Sequence, residues 1–256
     1  MPMQELIDLM ARLRDPERGC PWDLDQTFSS LARYTLEEAY EVVDCLERGD
    51  LPALKEELGD LLLQVVFHSQ IAREQGAFDF EAVVRGICDK LVRRHPHVFG
   101  DVRVGGAEEQ SRLWEDQKLR EREAQGKSVL DGLPKALPAL PRAVKLGQRA
   151  AQLGFDWPAP DGARAKVAEE LEELDGAARA AAPAAVAREL GDLLLAISSL
   201  ARHLNVDPES ALRDANRRFE RRFRHVEERR RAAGSASLEQ LEAWWVEAKD
   251  AERTDG

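Results

Sequence analysis

Little in this chain invites a strand, a disulfide or a zinc ion. Aromatics make up only 6% of its 256 residues, and no Asn-Gly or Asp-Gly turn joins two alternating β-branched runs, which argues against sheet architectures. Three cysteines, Cys20, Cys45 and Cys88, form no C-x-x-C and no short paired spacing. That disfavours a zinc site and suits a reducing compartment. The longest apolar stretch, LLLQVVFHSQIA from Leu61, is too short and too polar for a bilayer span. The opening MPMQELIDLMARLRDPERG is charged early and has no long apolar core, so no secretory leader is expected. A cytoplasmic protein with no membrane partner is the expectation. Basic residues are outnumbered, 37 Lys and Arg against 48 Asp and Glu, and the net charge of -11 speaks against nucleic acid as a partner.

What is present favours helices and a core. Hydrophobic residues reach 43%, enough to exclude global disorder, and Ala, Leu, Glu and Arg abound. The chain also repeats itself. LEEAYEVVD (36–44) aligns with AEELEELDG (168–176), and EELGDLLLQVV (56–66) with RELGDLLLAIS (188–198), both at an offset of 132. FDFEAVVRGICDKLVRRHPHV (78–98) aligns with VDPESALRDANRRFERRFRHV (206–226) at 128, and a W-x-x-x-K recurs at Trp114–Lys118 and Trp245–Lys249. Four blocks in one order imply duplication. The boundary falls in AQGKSVLDGLPKALPALPRA (124–143), rich in Pro and Gly yet apolar enough to pack down. The expected division is an N-terminal repeat over 1–125, a linker over 126–139 and a C-terminal repeat over 140–256.

Within one repeat the spacing predicts a helix over Leu36–Glu47 closed by Gly49. A second runs from the Pro52 turn to about Gln75, with Gly76 as the stop. Asp79 and Asp207 are expected to cap third helices, and fourth helices are expected near Glu108–Glu123 and Leu238–Glu252. The fold class is therefore all-α, with tandem helical bundles.

The carboxylates carry the chemistry. Glu38 and Glu41 are three residues apart on one helix, as are Glu57 and Asp60 on the next; the second copy has Glu170, Glu173, Glu189 and Asp192 in the same pattern. A three-residue step puts both acids on one helix face. Most Glu-rich faces are simply solvated. Asp60 and Asp192, however, each precede a leucine run, and like charges held at a core edge repel and resist desolvation unless a cation joins them. An all-oxygen set suits a hard ion, Mg²⁺ or Mn²⁺, which leaves coordination sites for substrate phosphates. A di-iron site is disfavoured because no histidine occupies the matching positions, and His68 reads as a hydrogen-bonded core residue.

The basic stretch RRFERRFRHVEERRR (217–231) places Arg218, Arg222 and His225 on one face, matched by Lys90, Arg94 and His97 in the first copy. Such a stripe is either solvated and paired to nearby glutamates or a phosphate contact. Trp114 and Trp245 serve either as core anchors or as aromatic faces for a base.

The RLRDPERGCPWDLDQTF opening, the E-E-x-x-E and E-x-x-D pairs, RRHPHVFGD, ANRRFERRF and SASLEQLEAWWVEAK together resemble the MazG nucleoside triphosphate pyrophosphohydrolases in their two-repeat form, over nearly the whole chain. The resemblance implies an all-α homodimer that hydrolyses NTPs and dNTPs to the monophosphate and pyrophosphate with Mg²⁺. It implies that Glu170, Glu173, Glu189 and Asp192 are the catalytic metal ligands. Lys166, Arg188, Arg218, Arg222, Trp245 and Lys249 would be nucleotide contacts. The family often has Lys where Arg218 stands, and the Ala-rich DGAARAAAPAAVARE is a further departure. The first copy retains Glu38, Glu41, Glu57 and Asp60 as a second candidate metal set. The alternative without catalysis is a helical interaction or regulatory module.

Overall fold

The structure, a computed structural model, describes residues 2–100, 105–106, 109–110, 113–114, 119–120, 124 and 126–254. Eleven helices and no strand occur among the described residues. The chain divides into two compact units, Met1–Ser111 and Arg112–Gly256. No helix among the described residues is long and apolar enough to cross a membrane.

The first unit holds α1 (Pro2–Leu13), α2 (Pro21–Asp25), α3 (Phe28–Arg48), α4 (Leu51–Glu74), α5 (Phe80–Arg94) and α6 (Pro96–Phe99). Helix α3 begins eight residues before the predicted start at Leu36. The reason is a capping box: Thr27 Oγ1 accepts from the Ser30 amide, and Ser30 Oγ accepts from the Thr27 amide. At its other end Gly49 adopts φ 68°, a left-handed cap that a side chain would strain. The Asp50 side chain caps α4 through the Ala53 amide, and Asp79 caps α5 through the Ala82 amide. Only Gly49 and Asp50 separate α3 from α4, so the two helices pack as antiparallel neighbours.

The core of this unit is Met10 from α1, Leu31 from α3, and Val66, Phe67 and Ile71 from α4, flanked by Leu6, Ile7, Tyr34, Leu63 and Phe80. Each such side chain contributes about 1.5–3 kcal/mol by leaving water. Arg14 locks the turn after α1 onto this core. Its guanidinium donates to both Glu74 carboxylate oxygens, at 2.9 Å and 2.6 Å, and to the carbonyls of Asp23 and Gln26, and it lies 5.5 Å from the Phe67 ring centre. His68 bonds Thr35 Oγ1 at 3.0 Å and stacks on Phe28; burial pushes its pKa down. It is a satisfied structural residue.

The second unit holds α7 (Ala139–Ala151), α8 (Pro160–Arg179), α9 (Pro183–His203), α10 (Pro208–Ala233) and α11 (Leu238–Thr254). Among the described helices α8 and α9 pack most closely, and α7 lies against α9 as α1 lies against α4. Asp207 caps α10, accepting from the Glu209 and Ser210 amides ahead of Pro208. The stretch before α7 is packed rather than loose: Leu133 is buried, and Arg149 donates to the carbonyls of Val129 and Asp131. The predicted helix near Glu108–Glu123 falls largely outside the described residues, as does Lys118 of the first W-x-x-x-K.

Candidate functional site

Helices α3 and α4 bring three of the first copy's acids together. Glu38 and Glu41, one turn apart on α3, and Glu57 on α4 each offer a carboxylate oxygen within 4.8 Å of the other two. The fourth acid, Asp60, acts on them through its charge. Burial, then the charges of Asp60, Glu41 and Glu57, raise the Glu38 pKa. Burial also raises that of Glu57, followed by the neighbouring Glu41 carboxyl and the charge of Asp60.

Helices α8 and α9 repeat the construction with Glu170, Glu173 and Glu189, again within 4.8 Å. Here the environment differs. Glu170 and Glu189 are only 5% and 8% exposed. Lys166 Nζ lies 2.7 Å from Glu170 Oε1 and 2.8 Å from Glu169 Oε1, and Arg188 Nη2 lies 2.6 Å from Glu189 Oε1. Hydrogen bonds to Glu169 and then Glu170 raise the Lys166 pKa, and the bond to Glu189 raises that of Arg188. Both cations stay charged across any working pH. At the same offset of 132 the first copy has Tyr34 and Glu56, so neither cation recurs at its matching position.

One atom tests whether the cluster fits a dication. Glu170 Oε2 is buried and has no hydrogen-bond partner. A buried charged oxygen without a partner is costly, and Lys166 serves the other oxygen of the same carboxylate. An all-carboxylate donor set with an orphaned oxygen fits Mg²⁺ or Mn²⁺. Asp192 stands apart from the closest triplet. It lines a cavity with Glu170 and Lys166, and its charge helps raise the Arg188 pKa.

The six expected nucleotide contacts divide into two groups. Lys166 and Arg188 touch the acids, whereas Arg218, Arg222, Trp245 and Lys249 lie on the α10–α11 pair. Arg222 donates to Glu252 from Nε at 2.9 Å and reaches it from Nη2 at 2.8 Å. Its guanidinium sits 5.7 Å from the Trp245 ring, which in turn packs on Phe219 with ring centres 5.0 Å apart. His225 and Arg229 face Glu247. Much of the basic stripe thus ties α10 to α11, while Arg218 and Lys249 are exposed.

Sequence reasoning missed the cavity itself, about 330 Å³, bounded by α7, the 154–157 turn, α8 and α9. The available signal was GFDWP (154–158), an aromatic cluster placed just before the acidic helix.

Comparison with known proteins bears on the whole chain. The MazG nucleotide pyrophosphohydrolase domain matches it twice, over residues 26–99 and 159–227. The nucleoside triphosphate pyrophosphohydrolase of Escherichia coli K12 is 48% identical, covering 96% of this chain and 97% of its own length. This chain belongs to the MazG family. The nucleoside triphosphate pyrophosphohydrolase/pyrophosphatase MazG of Thermotoga maritima is 45% identical over 98% of this chain and 97% of its own. The uncharacterized protein YabN of Bacillus subtilis is 42% identical over 96% of this chain, which spans 51% of that protein. The two MazG segments contain all eight acids together with Lys166, Arg188, Arg218 and Arg222. Phe155, Trp157, Trp245 and Lys249 lie outside them.

Proposed function

We propose that this protein is a nucleoside triphosphate pyrophosphohydrolase: one water cleaves the α–β anhydride of an NTP or dNTP, giving a monophosphate, pyrophosphate and a proton. The observation that carries the reading is the trio Glu170, Glu173 and Glu189, each offering an oxygen within 4.8 Å of the others, with Glu170 Oε2 buried and unpartnered. Full-length relatives named as nucleoside triphosphate pyrophosphohydrolases support it.

The ligands for Mg²⁺, with Mn²⁺ as substitute, are Glu170, Glu173, Glu189 and Asp192; Glu38, Glu41, Glu57 and Asp60 form the second metal set. The bound ion supplies neutralisation of phosphate charge and stabilisation of charge on the leaving oxygen. Glu170 or Glu173 orients the attacking water and accepts its proton. Lys166 and Arg188, already drawn to the acids, offer ammonium and guanidinium donors to the phosphates. Arg218, Arg222, Trp245 and Lys249 complete the nucleotide contacts. The functional halves are 1–125 and 140–256, joined by 126–139.

The molecule acts as a cytoplasmic homodimer that clears nucleotides from the pool. Self-association is supported by α5, where Val83, Ile87 and Leu91 form an exposed apolar stripe at four-residue spacing and no residue is buried. Unpaired Cys20, Cys45 and Cys88 suit a reducing compartment.

The test is to incubate the protein with a dNTP and Mg²⁺ and separate the products. Monophosphate with pyrophosphate is expected from wild type and not from Glu173→Ala or Asp192→Ala. Orthophosphate with diphosphate, or undiminished turnover in both variants, would overturn the reading.

A further inference from the structure

Four of the six proposed nucleotide contacts stand on the α10–α11 pair, and a carboxylate stands among them. Trp245, Lys249 and Glu252 fall at i, i+4 and i+7 on α11, which puts all three on one helix face. Arg218 and Arg222 are one turn apart on α10. An acid on a face meant for phosphates repels them unless it has work of its own there.

Glu252 is fully engaged. Arg222 Nε donates to its Oε2 at 2.9 Å, Arg222 Nη2 lies 2.8 Å from the same oxygen, and Arg221 Nη2 lies 3.3 Å from Oε1. The Arg222 bond, first among the causes, holds the Glu252 pKa below the ordinary carboxylate value. Arg222 is therefore no waiting donor, since its fork is filled. A guanidinium grips carboxylate and phosphate oxygens through the same parallel N–H groups. Glu252 takes the place that a phosphate oxygen would take.

Helix α11 has other anchors. Among the described residues it packs chiefly on α10. Ala248 is buried, Trp245 packs on Phe219 with ring centres 5.0 Å apart, and Glu247 pairs with Arg229 and lies 3.6 Å from His225. Glu252 sits beyond these anchors, in the last turn of the helix, where a chain yields most readily.

We propose that Glu252 is an autoinhibitory residue: its carboxylate holds Arg222 and Arg221 in place of a phosphate, and an incoming triphosphate displaces it before Arg222 can bind. This rests on the proposed pyrophosphohydrolase activity, in which Arg222 is a phosphate contact. Glu252 touches no reacting atom. It acts through Arg222, and each nucleotide bound exchanges one ion pair for another, so affinity stays below what the cations alone would give.

The test is Glu252→Gln, which keeps the size and removes the charge. KM for dTTP with Mg²⁺ is expected to fall about three- to tenfold, with kcat within about twofold of wild type. The Kd of inorganic tripolyphosphate, measured by calorimetry without metal, is expected to fall by a similar factor. Glu252→Asp keeps the charge one methylene short and should lie between wild type and Glu252→Gln. If Glu252→Gln does not fold, Glu252→Asp decides: a lower KM supports the proposal and an unchanged one overturns it. Glu247→Gln loosens α11 on α10 without freeing a proposed nucleotide contact, and should leave KM unchanged. A purely structural Glu252 gives a lower melting temperature with KM unchanged or raised, and that result overturns the proposal, as does an equal fall of KM in Glu247→Gln. If wild type releases no pyrophosphate from any nucleotide, the proposed activity fails instead, and the tripolyphosphate affinities alone decide whether Glu252 masks an anion site.

Discussion

The two acidic clusters share a pattern and differ in what surrounds it. At the matching positions beside Glu38, Glu41 and Glu57 the sequence has Tyr34 and Glu56, and burial with mutual repulsion drives the Glu38 and Glu57 pKa values up. Around Glu170, Glu173 and Glu189 stand Lys166 and Arg188, which pair with two of the acids at 2.7 Å and 2.6 Å. The two copies keep the acids and differ in the charge beside them. A purely acidic cluster can hold a cation but repels a triphosphate. Among the described residues, Lys166 and Arg188 pair with acids of the second cluster, and Glu170 and Asp192 line a cavity beside it, which supports placing the nucleotide there under the proposed activity.

The largest test of this contrast is kinetic. Glu170→Gln is expected to reduce kcat/KM for pyrophosphate release by about 100-fold or more, since an oriented charged group is lost where charge develops. Glu38→Gln should change it by less than about threefold. Equal losses in both would erase the distinction. Next comes stability. Phe67→Ala empties the packed core of the first unit and should cost about 3–5 kcal/mol in urea unfolding. Its counterpart Ser199→Ala, beside an existing void, should cost under about 0.5 kcal/mol.

The third test is the pH dependence of each cluster. Glu38 and Glu57 have folded pKa values above the ordinary carboxylate value, so their contribution to stability is present at low pH and is lost as pH rises through the raised values. In EDTA, Tyr34→Lys should remove much of that loss, and Mg²⁺ should do the same in wild type, both read as melting temperature against pH. The ion pairs that anchor the turns behave oppositely. The Arg14 bond lowers the Glu74 pKa, and the Arg202 bond lowers that of Asp156. Their stabilisation is present above the unfolded values, about 4, and is lost as pH falls through the folded ones. Glu74→Gln and Asp156→Asn should each cost about 1–2 kcal/mol at neutral pH and shift acid unfolding little. The smallest effect is expected at the exposed Arg85–Glu81 pair, where Glu81→Ala should cost no more than about 0.5 kcal/mol.

Much of this architecture was legible before any coordinates. Helical type followed from composition and periodicity, and the Asp79 and Asp207 caps and the Gly49 stop followed from local chain chemistry. The capping box at Thr27 and Ser30 was readable in the same terms and was missed, because its N3 residue is serine rather than glutamate. The convergence of Glu38, Glu41 and Glu57, and of their second-copy counterparts, was foreseeable because three-residue spacing on adjacent antiparallel helices leaves few other outcomes. The basic stripe was less transparent. Helical spacing put Arg222 and His225 on one face but said nothing of Glu252 and Glu247, which belong to another helix.

The sequence by itself determined the duplicated helical frame, its caps and the faces on which the acids lie, since each depends on neighbours within about one helical turn. Only the tertiary structure decided which acids are buried and paired, that Glu170 keeps one oxygen without a partner, and that the second unit is hollow where the first is filled. Burial, ion pairing and voids are set by side chains far apart in the chain. A Ser or an Ala where the other copy has Phe or Gln acquires its meaning only from what packs opposite it.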